Sequence, residues 1–554
     1  MNLFDYFEQV VDGASAPWAA RAPRQPTEQF DLLLMPRTPA WQDDACSLRV
    51  LEQLEREPWV DSVACEQDRV MVRLDDRWVQ RTGASLEAGG SSESDLADLA
   101  CSQRFAIQFW DPNATKALHA GHLRNLALGN ALASSLQQAG ATVERRSLIS
   151  DAGRSMGEAM AGIRKSNGHA ESALASGLKS DHYVGRCYAA YVMGSAAQGA
   201  NAATTAPEDS QTRELTVRHD DADELLREVL RGDTDARELW RKTRGWVIAG
   251  QRATLGRLAI RFDRVFFESD FIADSARLTE QGLSEGRLER RPDGVVTYMT
   301  GVEELEEMPL VRADGISTQH LRAVTYWLMA PGLEDITTIQ ISGTEWVAHA
   351  TCIEKLMGEL KAPPASGDSE RPVHPIHDVF HGMVSRQKHA IASSAEGALL
   401  IDDLLDEIDL QIDADPRMRE VRQAQPAPER LAAQIALAHF LPYPAVPPAE
   451  FEPEKLLRDG QSLGWDMARA RARPANDTDA ARLNPAEDPN YRFAVVQSEL
   501  HRRHLRLAVE RFDITPIAVY LGHLARWRLE GEHSAHVARV VQTLLDRGAS
   551  ALGL

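Results

Sequence analysis

The sequence predicts an α/β protein built on a parallel sheet, with a small α+β region before it and an all-helical region after it. Three observations predict this. Between residue 101 and about 365, apolar runs of strand length alternate with apolar-periodic runs of helix length, the pattern of strand–helix–strand units. Residues 1–100 mix short strand-like runs, such as Val70–Leu74, with polar turns, and close on a Gly/Ser-rich stretch at 89–94. From about residue 415 the pattern is nearly all helical, broken by proline-rich stretches at 425–428 and 442–448. The expected domains are 1–100, 101–410 and 411–554, and a chain of 554 residues accommodates them.

The central region can be read element by element. Phe105–Trp110 is a continuous apolar run and predicts a buried strand. After a polar loop, Leu123, Leu126, Ala127, Leu132 and Leu136 fall on one face at helical spacing, and Gly140 supplies a helix stop. Val143–Ile149 predicts a second strand, leading into Asp151-Ala152-Gly153. A patch rich in Ala, Thr, Gln and Asn at 195–211 reads as a surface loop, and helix resumes over Asp221–Arg244. Ile336–Ser342 predicts a further strand, with Gly343 opening the turn after it.

Composition narrows the class. A hydrophobic content of 43% suits a globular core. No run of about 18 apolar residues is present, so no membrane span is expected. The first residues lack the basic and apolar regions of a signal peptide. Five cysteines (46, 65, 101, 187 and 352) are scattered without a CxxC pair, which predicts reduced thiols, a cytoplasmic location and no structural zinc. The net charge of −21 does not advertise nucleic-acid binding. Residues 491–528, however, hold seven arginines against three acids, which reads as a solvated helical face or a local contact face.

The chemistry concentrates in Asp111-Pro112-Asn113-Ala114-Thr115-Lys116-Ala117-Leu118-His119-Ala120-Gly121-His122. Two histidines three apart sit where a strand turns into a helix, and a helix N-terminus is a ready phosphate site. His119 and His122 can donate to phosphate oxygens, Lys116 can add positive charge, and Gly121 lets a base or ribose approach the backbone. A lone pair of loop histidines would carry little; the longer string carries more.

That string, extended through Leu123-Arg124-Asn125, resembles the signature of class I aminoacyl-tRNA synthetases, specifically the arginyl enzyme. The resemblance continues through Asp181–Tyr188, Leu258–Asp263, Phe267-Glu268-Ser269, Val311–Gly315, Asp402–Glu407, Phe451–Lys455 and Met467–Arg471. It implies a Rossmann-type catalytic domain with an insertion, a small N-terminal domain that touches the tRNA elbow, and a helical anticodon-binding-like domain. It further implies ATP, with Mg²⁺ bound to it, an amino acid and tRNA as ligands. No metal site of the protein's own and no membrane partner are expected, and a monomer is. Lys116, His119 and His122 would be catalytic. Gly121, both histidines, Arg386 and Lys388 would bind ATP. Asn113, Gln108, Asp151, Glu268, Gln319, Ala323 and Trp346 would line the amino-acid pocket.

Four of those pocket positions depart from the family pattern. Gln319 stands where the family carries tyrosine and Ala323 where it carries aspartate. Gln108 replaces a glutamate and Trp346 a glutamine. Losing one carboxylate partner of a buried cation costs about 3–5 kcal/mol, so altered or lost arginine specificity is expected. The family's lysine-rich second loop corresponds to Ile391–Gly397, which has no lysine, so Arg386 and Lys388 would have to stand in. Asp151 reads equally as a helix N-cap or a substrate contact. Three activities stay open at this point. They are a tRNA ligase, a relative that activates an amino acid for amide formation in specialised metabolism, and a non-catalytic tRNA-binding relative.

Overall fold

The structure, a computed structural model, describes residues 3–12, 18–27, 29–36, 50–66, 69–89, 96–166, 177–199, 220–333, 335–360, 375–386, 389–390, 399–475 and 484–554. The N-terminal region is α+β as expected. Helix α1 (Leu3–Asp12) precedes strands β1 (Trp18–Arg21), β2 (Leu32–Pro36), β3 (Val60–Glu66) and β4 (Arg69–Leu74), and helix α2 (Asp76–Glu87) follows. The strands form an antiparallel sheet in the order β1-β2-β4-β3. Of the Gly/Ser-rich stretch, Gly89 is described, at φ +68°, and the remainder lies outside the described residues.

The central region runs β5 (Arg104–Trp110), α3 (Ala120–Gln138), β6 (Thr142–Ile149), α4 (Arg154–Lys165), α5 (Ser180–Gly199), α6 (Asp221–Arg231) and α7 (Thr234–Arg257). It continues β7 (Arg264–Phe267), α8 (Ile272–Ser284), β8 (Glu289–Arg290), β9 (Val296–Met299), β10 (Glu307–Val311), α9 (Gln319–Met329), β11 (Thr337–Gly343), α10 (Val347–Leu360) and β12 (Ile376–His381). Five strands pair in parallel in the order β12-β11-β5-β6-β7. The chain leaves β5 toward β6 and β7, then returns to place β11 on its other side. The order therefore reverses beside β5, and that is where open α/β sheets bind ligands. The single helical run expected over Asp221–Arg244 is two helices, because Gly232 takes φ +92° and ends α6.

Alternate residues of β5 serve two cores. Ile107 and Phe109 face α3 with Leu123, Leu126 and Leu132, while Ala106 faces the second core with Leu321 and Val324 of α9. A Cβ on Gly129 of α3 would lie 2.0 Å from the Phe109 ring, so only glycine lets this helix pack so close to the strand. Each fully buried leucine here contributes about 1.5–3 kcal/mol. The signature helix is therefore fixed by packing before any ligand arrives.

The C-terminal region comprises α11 (Ile401–Ala414), α12 (Pro416–Gln423), α13 (Leu431–Ala438), α14 (Leu463–Ala472), α15 (Pro489–Arg511), α16 (Thr515–Glu530) and α17 (Ala535–Ala551). It is helical as expected, with breaks at the proline-rich stretches, and α11 runs across position 410 without interruption. Four arginines of the arginine-rich stretch are spent on internal contacts, while Arg511 and Arg526 are exposed. Arg492 is buried against Asp31 of the N-terminal region, Arg503 pairs with Glu8 at 3.0 Å, and Arg506 pairs with Asp5 at 2.5 Å. Arg528 donates to the carbonyls of Arg473 and Pro474. Among the described residues, no helix is long and apolar enough to cross a membrane.

Candidate active site

The loop between β5 and α3 is held from three sides. Ala114 N–H donates to Ser150 at 2.9 Å, and Ser150 N–H donates to Pro112 at 3.0 Å, which extends the β5–β6 ladder past the strand ends. Gln251 of α7 donates to the carbonyls of Asn113 (3.2 Å) and Lys116 (2.9 Å). Gly185 of α5 lies against Lys116, where a Cβ would meet the lysine side chain at 3.4 Å. With its backbone bonds satisfied by the scaffold, the loop is preorganised.

His119 is the N-cap of α3 and His122 is three residues into it. The cap is reciprocal: His119 Nδ1 accepts from Gly121 N–H at 3.1 Å, and His122 Nδ1 accepts from His119 N–H at 3.1 Å. The rings lie 3.9 Å apart. An Nδ1 that accepts carries no proton, so each neutral ring carries its proton on Nε2. Burial, with Lys116 nearby, lowers His119 to about 4, and burial plus both neighbours holds His122 well below its ordinary value. The pair therefore presents two neutral Nε2–H donors at neutral pH. Gly121 spends its own N–H on the cap.

Lys116 is crowded enough to lower its pKa to about 8 by desolvation, and its Nζ lies 6.0 Å from the Tyr188 ring centre. The stretch just after the second loop is stitched to the first. Ala120 N–H donates to Leu399 at 2.8 Å, and Ile401 N–H donates to Leu118 at 3.0 Å. Ile391–Gly397 and Lys388 lie outside the described residues; Arg386 is described only as backbone, at the end of strand β13 (Val384–Arg386).

The expected amino-acid residues divide. Gln108, buried in β5, donates from Nε2 to Asp111 at 3.0 Å, and its Oε1 has no hydrogen-bond partner among the described residues. Glu268 is buried at the end of β7 and accepts from Ser150 Oγ (2.8 Å) and from Arg322 Nε (2.7 Å). Arg322 comes from α9, and its Nη1 also donates to the Ser317 carbonyl. Gln319 and Ala323 lie half-buried one turn apart on the same helix. Trp346 follows β11, its ring centre 5.3 Å from that of His349, and lines a small open pocket with Gln340, Ser342, Glu354, Ile376 and Asp378. Asn113 is exposed on the loop.

Asp151 corrects the sequence reading. It is not the N-cap of α4, a position held by Gly153 without a side-chain cap. Asp151 is instead fully buried. Its carboxylate accepts from Arg244 Nη1 (2.9 Å), Ser269 Oγ (2.7 Å) and Ser269 N–H (2.9 Å), and its carbonyl accepts from Trp240 Nε1. All three side-chain bonds tie β6 to α7 and β7, a clasp that holds the rim of the sheet.

Sequence reasoning passed over Asp111 and Arg322 as site residues. Asp111 closes β5, with Oδ1 accepting from Leu148 N–H and Oδ2 from Gln108. It keeps contact with solvent, yet protein crowds it enough that desolvation pushes it up to about 6. An acid that directly follows a buried parallel strand was the available signal.

Comparison with known proteins agrees with the geometry. A family model described as "tRNA synthetases class I (R), catalytic domain" matches residues 91–180. The arginine–tRNA ligase of Amoebophilus asiaticus (strain 5a2) is 29% identical over 311 residues, which is 55% of this chain and 50% of that one. That of Bacteroides fragilis is 31% identical over 211 residues, 38% of this chain and 35% of that one. The chain thus spans half or less of the length of these relatives. The arginyl-tRNA synthetase structures of Thermus thermophilus and Plasmodium falciparum each superpose with a TM-score of 0.65 over 100% of this chain, at 18% and 11% identity. They cover 99% and 98% of those chains, so the fold is shared along the whole length. The chain is therefore similar to the class I tRNA synthetase catalytic domain over residues 91–180 and to arginine–tRNA ligases over part of its length, and it shares its fold with the arginyl-tRNA synthetase structures.

Proposed function

We propose that this protein activates an amino acid with ATP as an aminoacyl adenylate and transfers it to tRNA. The amino-acid carboxylate oxygen attacks the α-phosphorus, the α–β phosphoanhydride bond breaks, and pyrophosphate leaves with that bond's electrons. A hydroxyl at the tRNA 3′ end then attacks the acyl carbon and AMP leaves. Negative charge grows on the phosphate oxygens in the first step, and donors fixed in advance stabilise it without reorganising. The carrying observation is the reciprocal cap, which fixes both His119 and His122 as Nε2–H donors at a helix N-terminus.

Lys116 adds positive charge beside them, and Asn113 offers a polar side chain at the loop surface. Among the described residues, no group of three or more His, Cys, Asp or Glu could hold a metal. Magnesium would come as the counter-ion of the ATP phosphates. The four free cysteines described, two buried and two exposed, suit a reducing cytoplasm.

The test is ATP–pyrophosphate exchange against the twenty amino acids, with and without total tRNA. Exchange with at least one amino acid is expected, and its abolition in His119→Ala. No exchange under any condition would remove the adenylation reading; full activity in His119→Ala would remove the role given to the loop.

A further inference from the structure

We infer that Asp402 is a positioning residue of the activation site: it ties α5, α7 and α11 together around the signature loop and so sets where Lys116 stands. The inference rests on the adenylation reading and adds to it a residue that acts through others.

Lys116 has no partner of its own to hold it. Among the described residues its Nζ makes no hydrogen bond and no ion pair, and the titratable groups that face it are Tyr188, His119 and His122. Its place is set by what surrounds the loop. Helix α5 supplies a wall at Gly185 and Tyr188. Helix α7 supplies Gln251, which donates to the carbonyls of Asn113 and Lys116. The chain entering α11 supplies the bonds of Leu399 with Ala120 and of Ile401 with Leu118. Lysine is a compact charge on a flexible stem, so its ammonium follows the walls that confine it.

One carboxylate joins the three elements. Asp402 lies in the first turn of α11 and is buried. Its Oδ2 accepts from Lys179 Nζ just before α5 (2.7 Å) and from Thr254 Oγ1 of α7 (2.9 Å), and meets His182 Nε2 of α5 at 3.4 Å. Its Oδ1 accepts from Arg257 Nη1 at the end of α7 (3.2 Å). Lys179 reaches on to Asp181 (3.2 Å) and Arg257 to Asp406 (2.6 Å), so neither cation is left without a second acid. Burial opposes ionisation of Asp402, yet the hydrogen bonds from His182 and Lys179 hold its carboxyl well below the usual carboxylate range. A Cβ on Gly250 of α7 would lie 2.2 Å from the Asp181 carboxylate, so α5 and α7 meet here too closely for any larger residue. An amide cannot replace such a carboxylate. Asparagine offers one acceptor oxygen and turns its NH₂ toward Lys179 or Arg257.

The experiment compares the parent chain with Asp402→Asn, with the milder Thr254→Val, and with Arg492→Met, which removes a buried ion pair to Asp31 of the N-terminal region instead. Two readouts are taken: amide hydrogen exchange by mass spectrometry, and ATP–pyrophosphate exchange as a function of pH. Asp402→Asn is expected to speed amide exchange in residues 113–120. It is also expected to lower kcat about a hundredfold with a much smaller change in KM for ATP, the effect of misplacing a charge by about 1 Å in the transition state. The alkaline limb of its pH profile, set by Lys116 at about 8, is expected to move to higher pH, because a lysine that regains water titrates nearer its ordinary value. Thr254→Val is expected to move the same readouts in the same direction, with kcat falling about two- to tenfold for the loss of one hydrogen bond. Arg492→Met is expected to leave the loop amides and the alkaline limb at their parent values. Parent-like loop amides and alkaline limb in Asp402→Asn would overturn the inference. Equal changes in Arg492→Met would overturn it as well, since they would mark general loosening of the fold. If Asp402→Asn does not fold, Thr254→Val decides on the same two readouts. No ATP–pyrophosphate exchange by the parent would sink the adenylation reading; amide exchange in residues 113–120 then decides the tie alone, faster exchange keeping it and parent-like exchange removing it.

Discussion

His119 and His122 stay uncharged through the physiological range because burial lowers both, so neither is the source of an activity change near pH 6.5. Two other residues are. Asp111 loses its charge as pH falls through about 6, and Lys116 loses its charge as pH rises through about 8. Exchange measured as kcat/KM for the amino acid is expected to follow a bell between those values. Asp111→Asn should flatten the acid limb and Lys116→Met the alkaline one; an acid limb that survives in Asp111→Asn would return the titration to a histidine. Asp111 also leaves a stability signature. Its folded-state pKa lies above its unfolded value, so the fold favours the protonated form, and stability contributed by that form is present at low pH and lost as pH rises through about 6. Asp111→Asn is therefore expected to melt at a higher temperature than the parent at pH 7.5, with the gap closing toward pH 4.

At the scale of elements, helix α9 carries two of the residues assigned by resemblance to the amino-acid pocket. Its residues Gln319, Arg322 and Ala323 fall within one turn, and Arg322 reaches the end of β7 to pair with Glu268. Arg322→Met is expected to cost about 3–5 kcal/mol in urea unfolding, because it strands a buried carboxylate. The double variant with Glu268→Gln is expected to recover more than half of that loss. Strict additivity of the two single effects would show that the pair is not coupled. The sequence named Gln319 and Ala323 from their positions in a motif, but the partner of Glu268 was not legible. Nothing in the spacing of residues 268 and 322 says that one meets the other, since β-sheet register and helix rotation decide it. The N-cap reading of Asp151 failed for the same reason: as sequence it stands at a helix start, while in space Arg244 from α7 and Ser269 after β7 surround it.

At the scale of the molecule, the arginines of α15 fasten the N-terminal region to the helical one. Arg492 alone donates to Asp31, Asp76 and the carbonyls of Leu74 and Ala486. Arg492→Met is expected to cost about 3–5 kcal/mol and to speed amide exchange in β2 and β4 well before the central sheet opens. Unchanged exchange there would mean that the docking is held elsewhere. At the other end, Ser135 and Asn130 of the signature helix donate to Ala551 (2.7 Å) and Gly553 (3.0 Å). The chain end thus braces the helix that carries His119.

The sequence by itself determined what depends on neighbours along the chain. The apolar run of β5, the 3.6-residue periodicity of α3 and the His119–His122 spacing are local, so strand, turn and helix could all be read from them. The family resemblance came from that same segment. Tertiary structure alone decided which charges cancel. Whether Glu268 is open to a ligand, whether Asp151 is a cap or a clasp, and whether Asp111 is left with neutral donors all depend on residues brought from distant segments into a crowded rim. There, desolvation makes each pairing worth far more than it is in water.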